Sequence, residues 1–189
     1  MVMLRRLLPA AATAALLATG CGYNTIQTKD EAVNAASSQI KTQLQRRADL
    51  IPNLVATVQG IAKQETTVFI RVAEARSRLA GAVQGGNLQE MAAANTALNA
   101  PLGRLLAIAE NYPELKSSQN FLQLQDQLEG TENRISVARQ DYNRAVEDFN
   151  AYIRRFPYNL TAKITGHGKP REYFELTTPG AAEAPKVKF

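Results

Sequence analysis

Apolar residues recur along this chain in steps of seven, most regularly between Asn120 and Pro157. Phe121, Leu128, Ile135, Tyr142, Phe149 and Phe156 are spaced by seven without a slip, and Leu124, Thr131, Ala138, Ala145 and Tyr152 fall three residues after the first five. Seven residues make almost two α-turns, so both sets fall on one helical face turned toward other helices. Gln125, Glu129, Arg139, Arg144, Glu147 and Arg154 occupy much of the remainder, as a solvated face should. Pro157 closes the pattern because it cannot continue a helix and disfavours α geometry at Phe156. A helix of roughly 37 residues is about 55 Å long, which predicts one rod of a long bundle.

A second periodic stretch covers residues 28–84. Ile26, Val33, Ile40, Arg47, Leu54, Ile61, Val68, Ala75 and Ala82 keep the same spacing, with Ile51, Val58, Glu65, Val72 and Leu79 beside them. Pro52 interrupts the chemistry but not the register. Its missing N–H and the clash with the Ala48 carbonyl call for a kink, while Asp49 as an N-cap would place Pro52 in the first turn of a new helix. Both readings stand at this level. Gly85-Gly86-Asn87 is a stop followed by a start, with Asn87 and Glu90 resembling a capping box. Leu88, Met91, Asn95, Leu98, Leu102, Leu105 and Ala109 then define another helix, which Pro101 should bend, and Asn111-Tyr112-Pro113 ends it. Beyond Pro157 the apolar anchors thin to Leu160, Ile164, Tyr173 and Phe174, expected to fold back on the bundle end. The last residues, 177–189, read as a disordered tail.

The first 21 residues have a different character. Arg5 and Arg6 precede the apolar and small residues Leu7 to Gly20, the pattern of a signal peptide over residues 1–20. At ~1.5 Å per residue this run falls short of the ~30 Å hydrocarbon core. Leu17-Ala18-Thr19-Gly20-Cys21 resembles a bacterial lipobox, with Ala18 where leucine is usual. The expectation is an acylated Cys21 that holds the chain on a membrane, with residues 21–27 as anchor and linker and 28–176 as the bundle. Gly22 at the following position favours sorting to an outer membrane where one exists.

Composition narrows the chemistry. Hydrophobic residues make up 45% of the 189, enough for a sizeable core. Removal of the leader with Arg5 and Arg6 lowers the formal charge from +5 to +3, too mild to indicate nucleic acid. One cysteine and one histidine argue against a disulfide framework and against Cys- or His-rich metal centres, and no cofactor is expected. Gly166-His167-Gly168-Lys169-Pro170 fails as a phosphate loop, since Lys163 replaces the first glycine and Pro170 the Ser/Thr. No catalytic residues are assigned.

One segment breaks its own pattern. Arg47 occupies a seam position, beside Pro52, where an aliphatic residue is expected. It is either an intramolecular ion pair or snorkelling side chain, or part of a polar surface, formed with Arg46, Asp49 and Asn53, that docks a partner protein.

The stretches QIKTQLQRRADLIPNLVATVQGIAKQE, LGRLLAIAENYPEL, NFLQLQDQLEGTENRISVARQDYNRAVEDFNAYIRRFPYNL and REYF resemble the LemA family, in the expected order across most of residues 39–174. The resemblance implies an all-α, antiparallel up-and-down four-helix bundle with long heptad-patterned helices, attached to a membrane near its N-terminus. Many relatives use a transmembrane helix there, so the lipobox-like Cys21 is a departure. The family implies no accepted catalytic residues, and a role in membrane organisation or assembly. The expected function is therefore a non-enzymatic scaffold or adaptor of the bacterial cell envelope, facing the periplasm, with an unidentified envelope protein as partner and self-association open. A helper of a protease or its clients, or a hydrolase using the Gly166–Arg171 segment, are the alternatives.

Overall fold

The computed structural model describes residues 2–174, and the side chains of residues 22–174. Residues 1–20, read as a signal peptide, and Cys21 therefore have no described side chains, and the tail read over 177–189 lies outside the described residues. The described chain is all-α: α1 (Val2–Ile61), α2 (Thr66–Gly85), α3 (Leu88–Glu110), the short α4 (Pro113–Lys116), α5 (Gln119–Arg154) and α6 (Tyr158–Ile164). They form a helical bundle, and the long periodic stretches supply its core.

The chain divides into two compact units. One comprises residues up to Ser37 together with Gln140–Tyr173; the other comprises Ser38–Arg139 and the segment from Phe174. In the larger unit, four antiparallel helical segments, from α1, α2, α3 and α5, enclose Leu44, Leu54, Leu79, Met91, Leu98, Leu105 and Ile135, all fully buried or nearly so. The turn between α2 and α3 follows its sequence. Gly86 takes the left-handed conformation at φ +76°, which glycine adopts without steric cost. Asn87 then caps α3, its Oδ1 accepting from the Gln89 and Glu90 backbone N–H groups at 2.9 and 3.2 Å.

One of the two readings left open at Pro52 is removed, and one helix end differs from the pattern. Pro52 neither breaks nor restarts α1, which stays helical through it, and Asp49 is not a cap. The carbonyl that Pro52 leaves without an intrahelical donor belongs to Ala48, and Arg76 of α2 donates to it through Nε at 3.1 Å. A side chain from the neighbouring helix thus offsets the lost hydrogen bond. The break comes ten residues later, at Ala62–Glu65, where α1 turns into α2. Ile61 is exposed and Val68 half-buried there, so the seven-residue spacing crosses the turn without forming a continuous seam. α3 also continues through Pro101.

In the smaller unit, Ile26 and Val33 of α1 and Tyr142, Val146, Phe149 and Ile153 of α5 are buried. Residues 22–27, expected as a linker, are helical, and Ile26 is fully buried. α6 packs through Tyr158, whose ring stacks on Tyr152 with centroids 4.5 Å apart, and Lys29 lies 5.9 Å above the Tyr152 ring. Residues 165–173 form a strap pinned to α5. Asn150 donates to the Arg171 carbonyl at 2.9 Å and accepts from the Arg171 N–H at 2.8 Å. Tyr142 donates its hydroxyl to the Glu172 carbonyl at 2.9 Å, and Arg171 grips Asp30 of α1 through Nε at 3.1 Å and Nη2 at 2.7 Å.

Of the four apolar anchors read beyond Pro157, Phe174 alone is buried; Leu160, Ile164 and Tyr173 are exposed. Phe156, the last member of the α5 series, is also exposed, because α5 ends at Arg154 and no longer carries it.

Candidate functional site

The sequence irregularity at Arg46–Asn53 lies in the larger unit, on α1. Four residues, Arg46, Arg47, Asp49 and Asn53, were expected to share one surface. They do not. Positions 46, 49 and 53 follow helical spacing and are exposed on one face. Arg47 points the other way and is 5% exposed.

Burial of a guanidinium is tolerated only when its donors find acceptors. Arg47 pairs through Nη1 with Glu132 of α5 and donates from the same nitrogen to Asn95 Oδ1 of α3. Its Nη2 donates to Asn99 Oδ1, also of α3, at 2.9 Å. One side chain therefore ties α1 to α3 and α5. Burial pulls the Arg47 guanidinium below its ordinary pKa, and the Glu132 carboxylate opposes that shift. Its Nε is buried without a partner among the described residues, so the site is held at a residual cost. The intramolecular alternative raised by the sequence thus describes Arg47. Seam position 95 carries asparagine for the same reason: a buried amide (4% exposed) is the acceptor that a buried arginine needs.

The outward face has its own fixings. Asp49 accepts from Gln45 Nε2 at 2.8 Å and lies 3.8 Å from Arg76 Nη2, the same arginine that donates to the Ala48 carbonyl. Sequence reasoning missed Arg76. The signal that points to it is a proline in mid-helix, which demands a donor from elsewhere. A second buried-edge arginine, Arg139 of α5, has its guanidinium carbon 5.3 Å from the centre of the Phe174 ring. Burial lowers its pKa, again against Glu132.

The Gly166–Arg171 segment lies in the smaller unit, as part of the strap. The His167 ring contacts Thr165 Oγ1 through Nδ1 at 3.2 Å and Gln27 Nε2 through Nε2 at 3.4 Å. These neighbours orient the imidazole, and neither is an acid–base partner. Among the described residues, no cluster of three or more His, Cys, Asp or Glu is placed to hold a metal ion. Among them, too, no helix is long and apolar enough to cross a membrane.

Fold and site together define a class: an all-α bundle of heptad-patterned helices whose core polar groups hold helices to one another. The chain belongs to the LemA family, whose model matches residues 36–189. It is similar to magnetosome proteins MamQ 1 and MamQ 2 of Paramagnetospirillum magneticum, at 30% identity over 181 residues and 84% of this chain. It spans 66% of the length of those two relatives. It also resembles protein LemA of Metamycoplasma hominis, at 24% identity over 141 residues, covering 74% of this chain and 63% of that protein.

Proposed function

We propose that this chain is a lipid-anchored helical scaffold of the bacterial envelope that works through protein contacts rather than by turnover. Membership in the LemA family, the similarity to proteins named for the magnetosome, and the lipobox-like sequence ending at Cys21 support its place at a membrane. In this reading acyl chains on Cys21 hold it there, and the bundle faces the periplasm.

One observation carries the contact reading. Within two turns of α1, Arg47 is turned inward to hold the helices together, while Arg46, Asp49 and Asn53 present polar groups outward from a segment that Arg47 and Arg76 keep in place. A surface whose backbone is already fixed loses less entropy when a partner binds it. The test is charge reversal at the exposed member. Arg46→Glu is expected to abolish co-purification of a partner from solubilised membranes while the thermal midpoint stays unchanged. Undiminished co-purification at wild-type stability would remove this face from the function.

A further inference from the structure

At the end of the smaller unit, α6 turns its larger aliphatic side chains outward. In α6 the buried positions are Thr161 and Ala162, whereas Leu160 and Ile164, one turn apart on the opposite side, are 50% and 81% exposed. Phe156, which precedes the helix, is 80% exposed. Isolated exposed apolar residues are ordinary, but three neighbouring ones at one end of a unit, two of them on the side of a short helix turned away from its buried Thr161 and Ala162, call for a second solvent or partner.

Charge identifies that second medium. Between Asp148 and Glu172 the sequence contains five Lys or Arg and no acidic residue. Arg154, Arg155 and Lys163 among them are exposed and flank the apolar row. Arg154 and Lys163 also line a shallow pocket with Ile153, Asn159, Gly168 and Pro170. An apolar row bordered by cations is the arrangement with which a helix lies in the boundary between acyl chains and anionic headgroups. A net charge of +5 over the whole chain conceals this local concentration.

Position completes the argument. A Cβ at Gly22 would lie 2.6 Å from Cδ1 of Tyr158, the first residue of α6, so glycine is required for this approach. α6 therefore packs against the residue that follows Cys21 directly.

We infer that Phe156, Leu160 and Ile164, with Arg154, Arg155 and Lys163 around them, form a docking surface for an anionic bilayer beside the anchor. The inference builds on the lipid-anchored reading and adds to it. Acyl chains alone would leave the bundle free to swivel, and α6 would seat it at a fixed orientation.

The chain has no tryptophan, so a single introduced one reports alone. The experiment uses the full acylated protein carrying Ile164→Trp, on vesicles containing brominated lipid, with phosphatidylglycerol or with phosphatidylcholine only. Val137→Trp, at a position on α5 that is 56% exposed, serves as the control. The expected result is strong quenching of the Ile164→Trp reporter on phosphatidylglycerol vesicles, weak quenching on phosphatidylcholine, and none for Val137→Trp. Each of Arg154→Gln, Arg155→Gln and Lys163→Gln should lower the ratio of docked to undocked protein by about fivefold. Flotation reads the anchor separately. Protein that floats on both vesicle types without quenching keeps the anchor and overturns the docking surface. Equal quenching on both lipids overturns the role of the cations, and protein that floats on neither overturns anchor and docking together.

Discussion

At the scale of single residues, the polar groups in the interior are the informative ones. Arg47 is the clearest case: its position was visible as an arginine in an aliphatic series, but its direction was not. A heptad position says which face a residue occupies, and only the facing helices say whether acceptors wait there. Asn95, Asn99 and Glu132 supply them from segments 48 to 85 positions away, a separation at which local pattern carries no signal. Arg47→Leu would restore a regular apolar seam, yet it removes the donor from a buried Asn95. The expected outcome is a loss of about 1–3 kcal/mol, read from the midpoint of chemical denaturation. Glu132 is half-exposed and recovers water, which keeps the loss below that of a fully buried ion pair. Unchanged or raised stability would contradict the role assigned to Arg47. Tyr142 gives a pH-dependent counterpart. Burial raises its pKa above the usual tyrosine value, opposed by Arg171 and reinforced by Glu172. A raised folded pKa means that its contribution is present below the unfolded value of about 10 and is lost as pH rises through the folded one. Stability should therefore fall at strongly alkaline pH, and Tyr142→Phe should flatten part of that fall, as measured by denaturation across the alkaline range.

Elements were largely legible where pattern and packing agree. Phe121, Leu128, Ile135, Tyr142 and Phe149 are all buried, because a sustained seven-residue spacing has one packing solution. The Gly86–Asn87 turn was legible because its residues carry their own backbone preferences. The turn at Ala62–Glu65 was not. It contains neither glycine nor proline, and Glu65 precedes α2 without a side-chain cap. Its only local marks are Gly60 and the polar run Lys63-Gln64-Glu65. Packing of α2 back along α1 decides where the chain reverses, and an intact heptad spacing hides the reversal. Pro52 left a kink and a restart both open, and α1 runs through it with a donor from the next helix at the Ala48 carbonyl. That compensation is measurable as a double-mutant cycle. Pro52→Ala restores an N–H for the Ala48 carbonyl, so Arg76→Leu should cost less in that background than in the wild type. A coupling of about 1 kcal/mol is the expected size. Additive costs would mean that Arg76 stabilises through Asp49 alone.

For the molecule as a whole, the outward groups matter most, and sequence pattern describes them least. A helical wheel identifies what is buried, and it lists everything else as solvated. Arg46, Asp49 and Asn53 on α1 are distinguished only by what fixes the backbone beneath them. The exposed row on α6 was misread as an anchor, because apolar residues at helical spacing usually face a core. The family relationship accounts for the bundle, and the proposed function depends on these surfaces and on Cys21. The most direct measurement places a photoreactive amino acid at position 46, 49 or 53, or at the α5 position 144 as control, in the full chain expressed in intact cells. A scaffold that works through the α1 face should yield one dominant protein adduct from positions 46, 49 and 53 and none from 144, and the proposed anchor adds that Cys21→Ser should lower the yield. Absence of an adduct at all three α1 positions, or an equal yield from position 144, would contradict the account.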